Sequence, residues 1–190
     1  MRDIIKHGFI LFVVCATVTL ALAFTYSATK ERIDERILEE EQKARERVMN
    51  FVDHFEEIED MDFSLGMVSK VFNGIKDSEI AGRVFLVEGK GYGGKIQITV
   101  GIDNEGRITG VNIGDNSETP GLGTKITHND FLSQFIDITP KEPLVVVKNP
   151  GSKDEEIDAA SGATVSSKAV VDAVQAALDV NREIEEIGGD

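Results

Sequence analysis

The sequence predicts an α+β protein: an N-terminal transmembrane helix and helical stalk, then an antiparallel sheet packed with helices. Three observations carry this. An uncharged apolar run near the N-terminus is long enough to cross a bilayer. A charged segment with helical periodicity follows it. Beyond residue 67 the period changes to the alternation of strands, and it returns to a helical pattern only near the end. The chain therefore divides into 1–29, a cytoplasmic N-terminus and transmembrane helix; 30–66, a helical stalk; and 67–190, a folded domain.

The 23 residues from His7 to Thr29 carry no formal charge. As a helix rising about 1.5 Å per residue they span roughly 34 Å, enough for a hydrocarbon core. Tyr26 near one end suits the interface, and Arg2 and Lys6 precede the run. The positive-inside rule then puts the N-terminus in the cytoplasm and the large domain outside. Ala21-Leu22-Ala23 has the small-x-small form of a signal-peptidase site. The apolar run continues past it through Phe24 and Tyr26, and a helical pattern continues further, which favours a retained helix. Val13-Val14 before Cys15 is no lipobox, so no lipoprotein is expected.

Residues 30–55 are rich in Glu, Arg and Lys and lack Gly and Pro. Ile33, Ile37, Ala44, Val48, Phe51, Val52 and Phe55 recur at helical spacings, predicting a stalk helix with one apolar face. Val68–Phe72, Arg83–Glu88, Lys95–Ile102 and Arg107–Ile113 read as strands, with turns at Gly89-Lys90-Gly91 and Asp103-Asn104-Glu105-Gly106. Together they predict an antiparallel meander. Residues 129–136 read as a short helix, Leu144–Lys148 as a buried strand, and Ser166 to about Glu185 as a helix with Val170, Val174, Ala177 and Leu178 on one face.

Composition excludes several function classes. A chain of 190 residues can bury a core without disulfides or metals. One cysteine, Cys15, excludes intrachain disulfides, iron–sulfur clusters and cysteine-based zinc sites. His7, His54 and His128 are scattered without a second ligand at metal spacing, so no metal is expected. The net charge is −14 and the pI about 4.6, and the first thirty residues are slightly basic, so the domain itself is more acidic still. Such a domain repels phosphate backbones, and no nucleic-acid partner is expected.

The most informative segment is Asp158-Ala159-Ala160-Ser161-Gly162-Ala163-Thr164-Val165-Ser166-Ser167. Small residues precede a helix start, where unpaired first-turn N–H groups and the helix dipole attract phosphate. On physical grounds alone, an ordinary Ser/Thr N-cap accounts for the same residues. The run D-x-x-S-G-A-T, however, resembles the flavinylation motif of the FMN-binding domain family. That family occurs in the RnfG component of Rnf complexes and the NqrC component of sodium-pumping NADH:quinone oxidoreductases. The resemblance implies that Thr164 takes FMN on its hydroxyl through the flavin phosphate. Asp158, Ser161, Gly162 and Ala163 would form the sequence read by a flavin transferase, and Ser166-Ser167 fits the family's hydroxyls after the acceptor.

A second block, Glu118-Thr119-Pro120-Gly121-Leu122-Gly123-Thr124, resembles the family's E-T-P-G-L-G loop, which lies against the isoalloxazine ring. Glycines there expose backbone polar groups, and Leu122 offers an apolar contact; alone, the block is also a plain Pro-Gly turn. Gly91-Tyr92-Gly93-Gly94-Lys95-Ile96 is similar to the family too, although a hairpin turn explains it equally well. It is no dinucleotide fingerprint, because no helix follows directly.

The resemblance covers about residues 68–180 and implies an FMN-carrying electron relay with no catalytic residue of its own. Its partners would be the other membrane and peripheral subunits of an Rnf-type complex that couples ferredoxin/NAD electron transfer to Na+ or H+ translocation. One compact domain after a short stalk suits the Rnf component better than its quinone-reductase counterpart. A stand-alone extracytoplasmic flavoprotein and a cofactor-free adaptor are the remaining readings.

Overall fold

In the computed structural model, residues 2–58, 66–148 and 155–188 are described; part of the expected stalk, 59–65, lies outside them. The chain forms two compact units, Met1–Gln42 and Lys43–Asp190.

Helix α1 runs Arg2–Val48 and is long and apolar enough in its N-terminal part to cross a membrane. Side chains such as Phe9, Leu11, Phe12, Leu20 and Phe24 stand exposed. Two threonine hydroxyls within the apolar stretch are satisfied on the helix itself. Thr17 Oγ1 donates to the Val13 carbonyl at 2.8 Å, and Thr25 Oγ1 to that of Ala21 at 2.9 Å. Those bonds are what a polar group requires where no water is available.

The second unit is built on a five-stranded antiparallel sheet in the order β1-β2-β3-β4-β5. The strands are β1 (His54–Glu57), β2 (Val68–Lys76), β3 (Glu79–Lys90), β4 (Lys95–Asp103) and β5 (Ile108–Asn116). The expected meander is present, and its strands are longer than the sequence suggested. The first hairpin turns at Asp77 and Ser78, both at positive φ (50° and 67°). At the last hairpin, Asp103 accepts from the backbone N–H groups of Glu105 and Arg107, each at 3.0 Å, and from Arg107 Nε at 2.8 Å. The turn expected at Gly89–Gly91 lies two residues later. Gly89 and Lys90 pair within the ladder with Ile96 and Lys95, and the Gly91 N–H donates to the Gly94 carbonyl at 2.8 Å.

The stalk helix expected through residue 55 stops at Val48, and β1 follows at His54, paired with β2 from His54↔Ile75. Phe51, Val52 and Phe55 fit helical spacing, but an open sheet edge beside them offers backbone pairing that a lone helix end cannot. The stalk positions Ile33 and Ile37 are exposed, whereas Ala44 and Val48 are buried.

Alternate residues of the sheet face opposite ways and both faces are apolar. Phe85, Val87, Ile98, Val100 and Ile102 belong to the main core, while Val84 and Phe72 pack with Val48 and Met49 on the other side. On that second side a row of glycines lets backbone approach backbone. A Cβ on Gly110 would stand 2.8 Å from Val48 Cα, one on Gly101 2.7 Å from the Val48 carbonyl oxygen, and one on Gly82 2.8 Å from Met49 Cε. Thr109 Oγ1 donates to the same Val48 carbonyl, and the Arg45 guanidinium lies 4.3 Å from the Phe72 ring centroid.

Helix α3 (Thr164–Gly188) covers the main core face. Val170, Val174, Ala177 and Leu178 are buried there, as the sequence expected for its apolar stripe, and Ala173 joins them. Toward its C-terminal end, Arg83 Nη1 donates to Asn181 Oδ1 at 3.0 Å and lies 3.6 Å from Glu185 Oε1. Burial lowers the Arg83 pKa, and Glu185 offsets part of that. Between sheet and helix the chain forms a 3-10 turn at Gly123–Thr127, helix α2 (Asn129–Leu132) and a second 3-10 turn, Ser133–Phe135. Residues 144–148 are not the buried strand expected. Strand β6 is Val145–Val147, with Val145 48% exposed, and it pairs in parallel with β7 (Glu156–Asp158) in a separate two-stranded sheet. Three residues with one partner strand cannot bury both faces.

Candidate cofactor site

Thr164 is the first residue of α3 and is exposed. The helix opens with the Ser167 N–H donating to the Ala163 carbonyl at 2.8 Å. The N–H groups of Thr164, Val165 and Ser166 therefore have no acceptor within the helix, and the dipole's positive end lies among them. The loop before it is tight: the Ala163 N–H donates to the Ala160 carbonyl at 2.8 Å, and Gly162 sits at φ +82°. That conformation suits glycine, because a Cβ clashes there in other residues. A Cβ on Gly162 would also come within 3.2 Å of Leu122 Cδ2, so the S-G-A-T loop and the Pro-Gly loop are in contact. Lys125 Nζ adds a second link, donating to the Ser161 carbonyl at 2.8 Å.

The Pro-Gly loop is held by its own backbone. The Thr119 carbonyl accepts from the N–H groups of Leu122 (3.2 Å) and Thr124 (3.3 Å), and the Gly121 N–H, at φ +75°, donates to Thr124 Oγ1 at 2.9 Å. Leu122 is left 50% exposed. Glu118 behaves differently from its neighbours. Its side chain turns inward, is 5% exposed, and accepts from Ser166 Oγ at 2.7 Å and from the Gly93 N–H at 3.0 Å. The third glycine-rich block is thereby drawn to the same place, and Gly123 is buried against the Glu118 side chain.

All three sequence blocks thus converge. Asp158 stands further back, in β7, half-buried, with its backbone bonded in both directions to Gln134: its N–H donates to Oε1 at 2.7 Å, and Nε2 donates to its carbonyl at 3.3 Å. Gln134 and Lys125 were not singled out by the sequence reading. Lys125 follows the loop motif by one residue, which is the only signal available, and Gln134 gives none. Ser166 and Ser167 serve as buried clamps: Ser167 Oγ accepts from the Ala160 N–H at 3.0 Å, while Ser166 holds Glu118.

The chemistry of this donor set fits a flavin nucleotide. The free N–H groups of a helix N-terminus beside an accessible hydroxyl suit a phosphate. Leu122 and Val165, exposed on neighbouring segments, suit a flat apolar ring.

Residues 91–179 match the FMN-binding domain family, and residues 1–52 match the RnfG N-terminal region. The chain is 34% identical over 195 residues to the G subunit of the Na+-translocating ferredoxin:NAD+ oxidoreductase complex of Acetobacterium woodii, covering 96% of this chain and 94% of that one. It is 33% identical over 182 residues to the G subunit of the ion-translocating oxidoreductase complex of Methanosarcina acetivorans, covering 94% of each. The crystal structure of Shewanella oneidensis NqrC shares the fold, with a TM-score of 0.50 over 64% of this chain and 70% of that one, at 23% identity. On the extent and level of these sequence matches, the chain belongs to the RnfG family, the G subunits of Rnf-type ion-translocating oxidoreductase complexes.

Proposed function

We propose that this chain is a membrane-anchored flavoprotein subunit that relays electrons within an Rnf-type complex, coupling ferredoxin/NAD electron transfer to Na+ or H+ translocation. Its FMN is esterified through the phosphate to Thr164. The observation that carries this reading is the placement of Thr164: an exposed hydroxyl on the first turn of α3, in a loop packed against Leu122. When bound, FMN supplies reversible one- and two-electron transfer.

The chain's own residues hold and orient it. The first-turn N–H groups of α3 would meet the phosphate's charge, Gly162 and Gly121, both at positive φ, keep the backbone open, and the half-exposed Leu122 would give the ring an apolar contact. Ser161, Ala163, Thr119 and Gly123 shape the two loops, and Asp158 serves recognition by a flavin transferase. Attachment joins Thr164 Oγ1 to the flavin-side phosphorus of a flavin dinucleotide donor as its pyrophosphate bond breaks and the nucleoside monophosphate leaves, and the hydroxyl proton passes to the transferase. A covalent tether suits an extracytoplasmic domain, where a lost cofactor is not replaced. Arg2 and Lys6 before the apolar run favour that topology. The anchor confines the domain to the membrane surface and raises its effective concentration near the other subunits.

Intact mass of the full-length chain, produced with a flavin transferase and purified from membranes, tests the reading. An added FMN ester is expected in the wild type and absent in Thr164→Val. Native material with a bare peptide at position 164 and no yellow chromophore overturns it.

A further inference from the structure

Asp103 and Glu118 are the buried carboxylates among the described residues. Asp103 is paired with Arg107 at 2.8 Å. Glu118 is held instead by a hydroxyl and a peptide N–H, one on each oxygen. A carboxylate taken out of water without a cation is costly, so its surroundings must be well ordered to keep it. They are: a Cβ on Gly91 or on Gly123 would overlap the carboxylate, and one on Gly93 would overlap the Ser117 carbonyl. Three segments far apart in sequence, 91–94, 118–124 and 163–167, therefore meet on one side chain.

The bond to Ser166 has a geometric consequence for the acceptor. Successive helical residues are rotated by about 100°, so residues two apart point about 200° from each other. Ser166 is 1% exposed and faces Glu118, and Thr164, two positions earlier, is accordingly turned to solvent. We propose that Glu118 is a positioning residue for flavin attachment: by holding Ser166 and Gly93 it fixes the rotational phase of the first turn of α3 and presents the Thr164 hydroxyl to the transferase. The proposal rests on Thr164 being the acceptor. It assigns Glu118 a role inside the scaffold, distinct from contact with the flavin ring.

The test uses the full-length chain purified without flavin, then incubated with flavin transferase and a flavin dinucleotide (FAD) as donor. The readouts are the initial rate of modification by intact mass and thermal unfolding by circular dichroism. Glu118→Ala is expected to slow modification about ten- to a hundred-fold, the scale of a misplaced reacting group. Glu118→Gln is expected to restore most of the rate. Its amide oxygen can accept from Gly93 while its NH2 donates to Ser166 Oγ, because a hydroxyl serves either role. Glu118→Ala at the wild-type rate, or Glu118→Gln as slow as Glu118→Ala, overturns the proposal. If Glu118→Ala does not fold, Ser166→Ala decides: a several-fold slower rate supports the link, and an unchanged rate overturns it. A wild-type chain that the transferase leaves unmodified refutes the Thr164 reading itself, a separate outcome.

Discussion

Substituting Gly110 by alanine tests whether the C-terminal end of α1 is seated on the sheet. The new methyl would stand 2.8 Å from Val48 Cα and 3.2 Å from the Val48 carbonyl oxygen. Backbone atoms cannot rotate away, so the helix end must lift or the strand must shift. Overpacking of this kind costs about 1–3 kcal/mol. Removing a strand glycine returns about 0.5–1 kcal/mol, leaving a net loss of about 1–2 kcal/mol. In a domain of this size each kcal/mol moves Tm by about 2–4 °C, so a fall of about 2–8 °C is expected. Gly114 lies on the same strand, and there the nearest atoms to an added Cβ are 3.5–3.6 Å away on Gln97, which is ordinary contact. Gly114→Ala should leave Tm unchanged or raise it by about 1–4 °C. The assay is thermal unfolding of the full-length chain in detergent, followed by far-ultraviolet circular dichroism. If the two variants melt together, the close approach of Val48 to β5 does not exist in solution.

Other outcomes follow from the site and the core. Leu122→Ala should preserve flavin attachment yet shift the flavin absorbance spectrum; loss of attachment in intact mass would show that Leu122 belongs to acceptor presentation. Asn181→Ala removes the 3.0 Å partner of the mostly buried Arg83 and should cost about 1–3 kcal/mol in urea unfolding. Glu185→Gln, at a pair 3.6 Å apart with the carboxylate 44% exposed, should cost less, about 0–1 kcal/mol. The reverse order would mean that charge, and not hydrogen bonding, holds the C-terminal end of α3 to the sheet.

Much of this was legible because local chemistry and global fold agree. Alternation in Lys95–Ile102 marked β4, and the Asp103–Gly106 turn closes where its Asp and Gly placed it. The S-G-A-T and E-T-P-G-L-G blocks could be read because each is a contiguous backbone device. The misses share a cause in contacts distant along the chain. Phe51, Val52 and Phe55 have helical spacing, yet the free edge of β2 draws residues 54–57 into the sheet. Asp77-Ser78 contains no glycine, so its left-handed turn gave no signal. The strand read at Leu144–Lys148 is present as β6, but its apolar run gave no sign that it would be partly exposed, and β7 is three residues, too short for periodicity to register. The inward aim of Glu118 could not be inferred from a loop whose neighbours are exposed. It depends on Ser166, 48 residues away.

The seating of Val48 and Met49 on the glycine row bears on how the second unit can be isolated. The division between the two compact units does not coincide with the division between helix and strands, because the second unit begins at Lys43, within α1. A fragment cut at the first strand would strip the lid from Phe72 and Val84 and leave an apolar floor that invites self-association. One starting at about Lys43 keeps that floor roofed, and should remain monomeric where the shorter one aggregates.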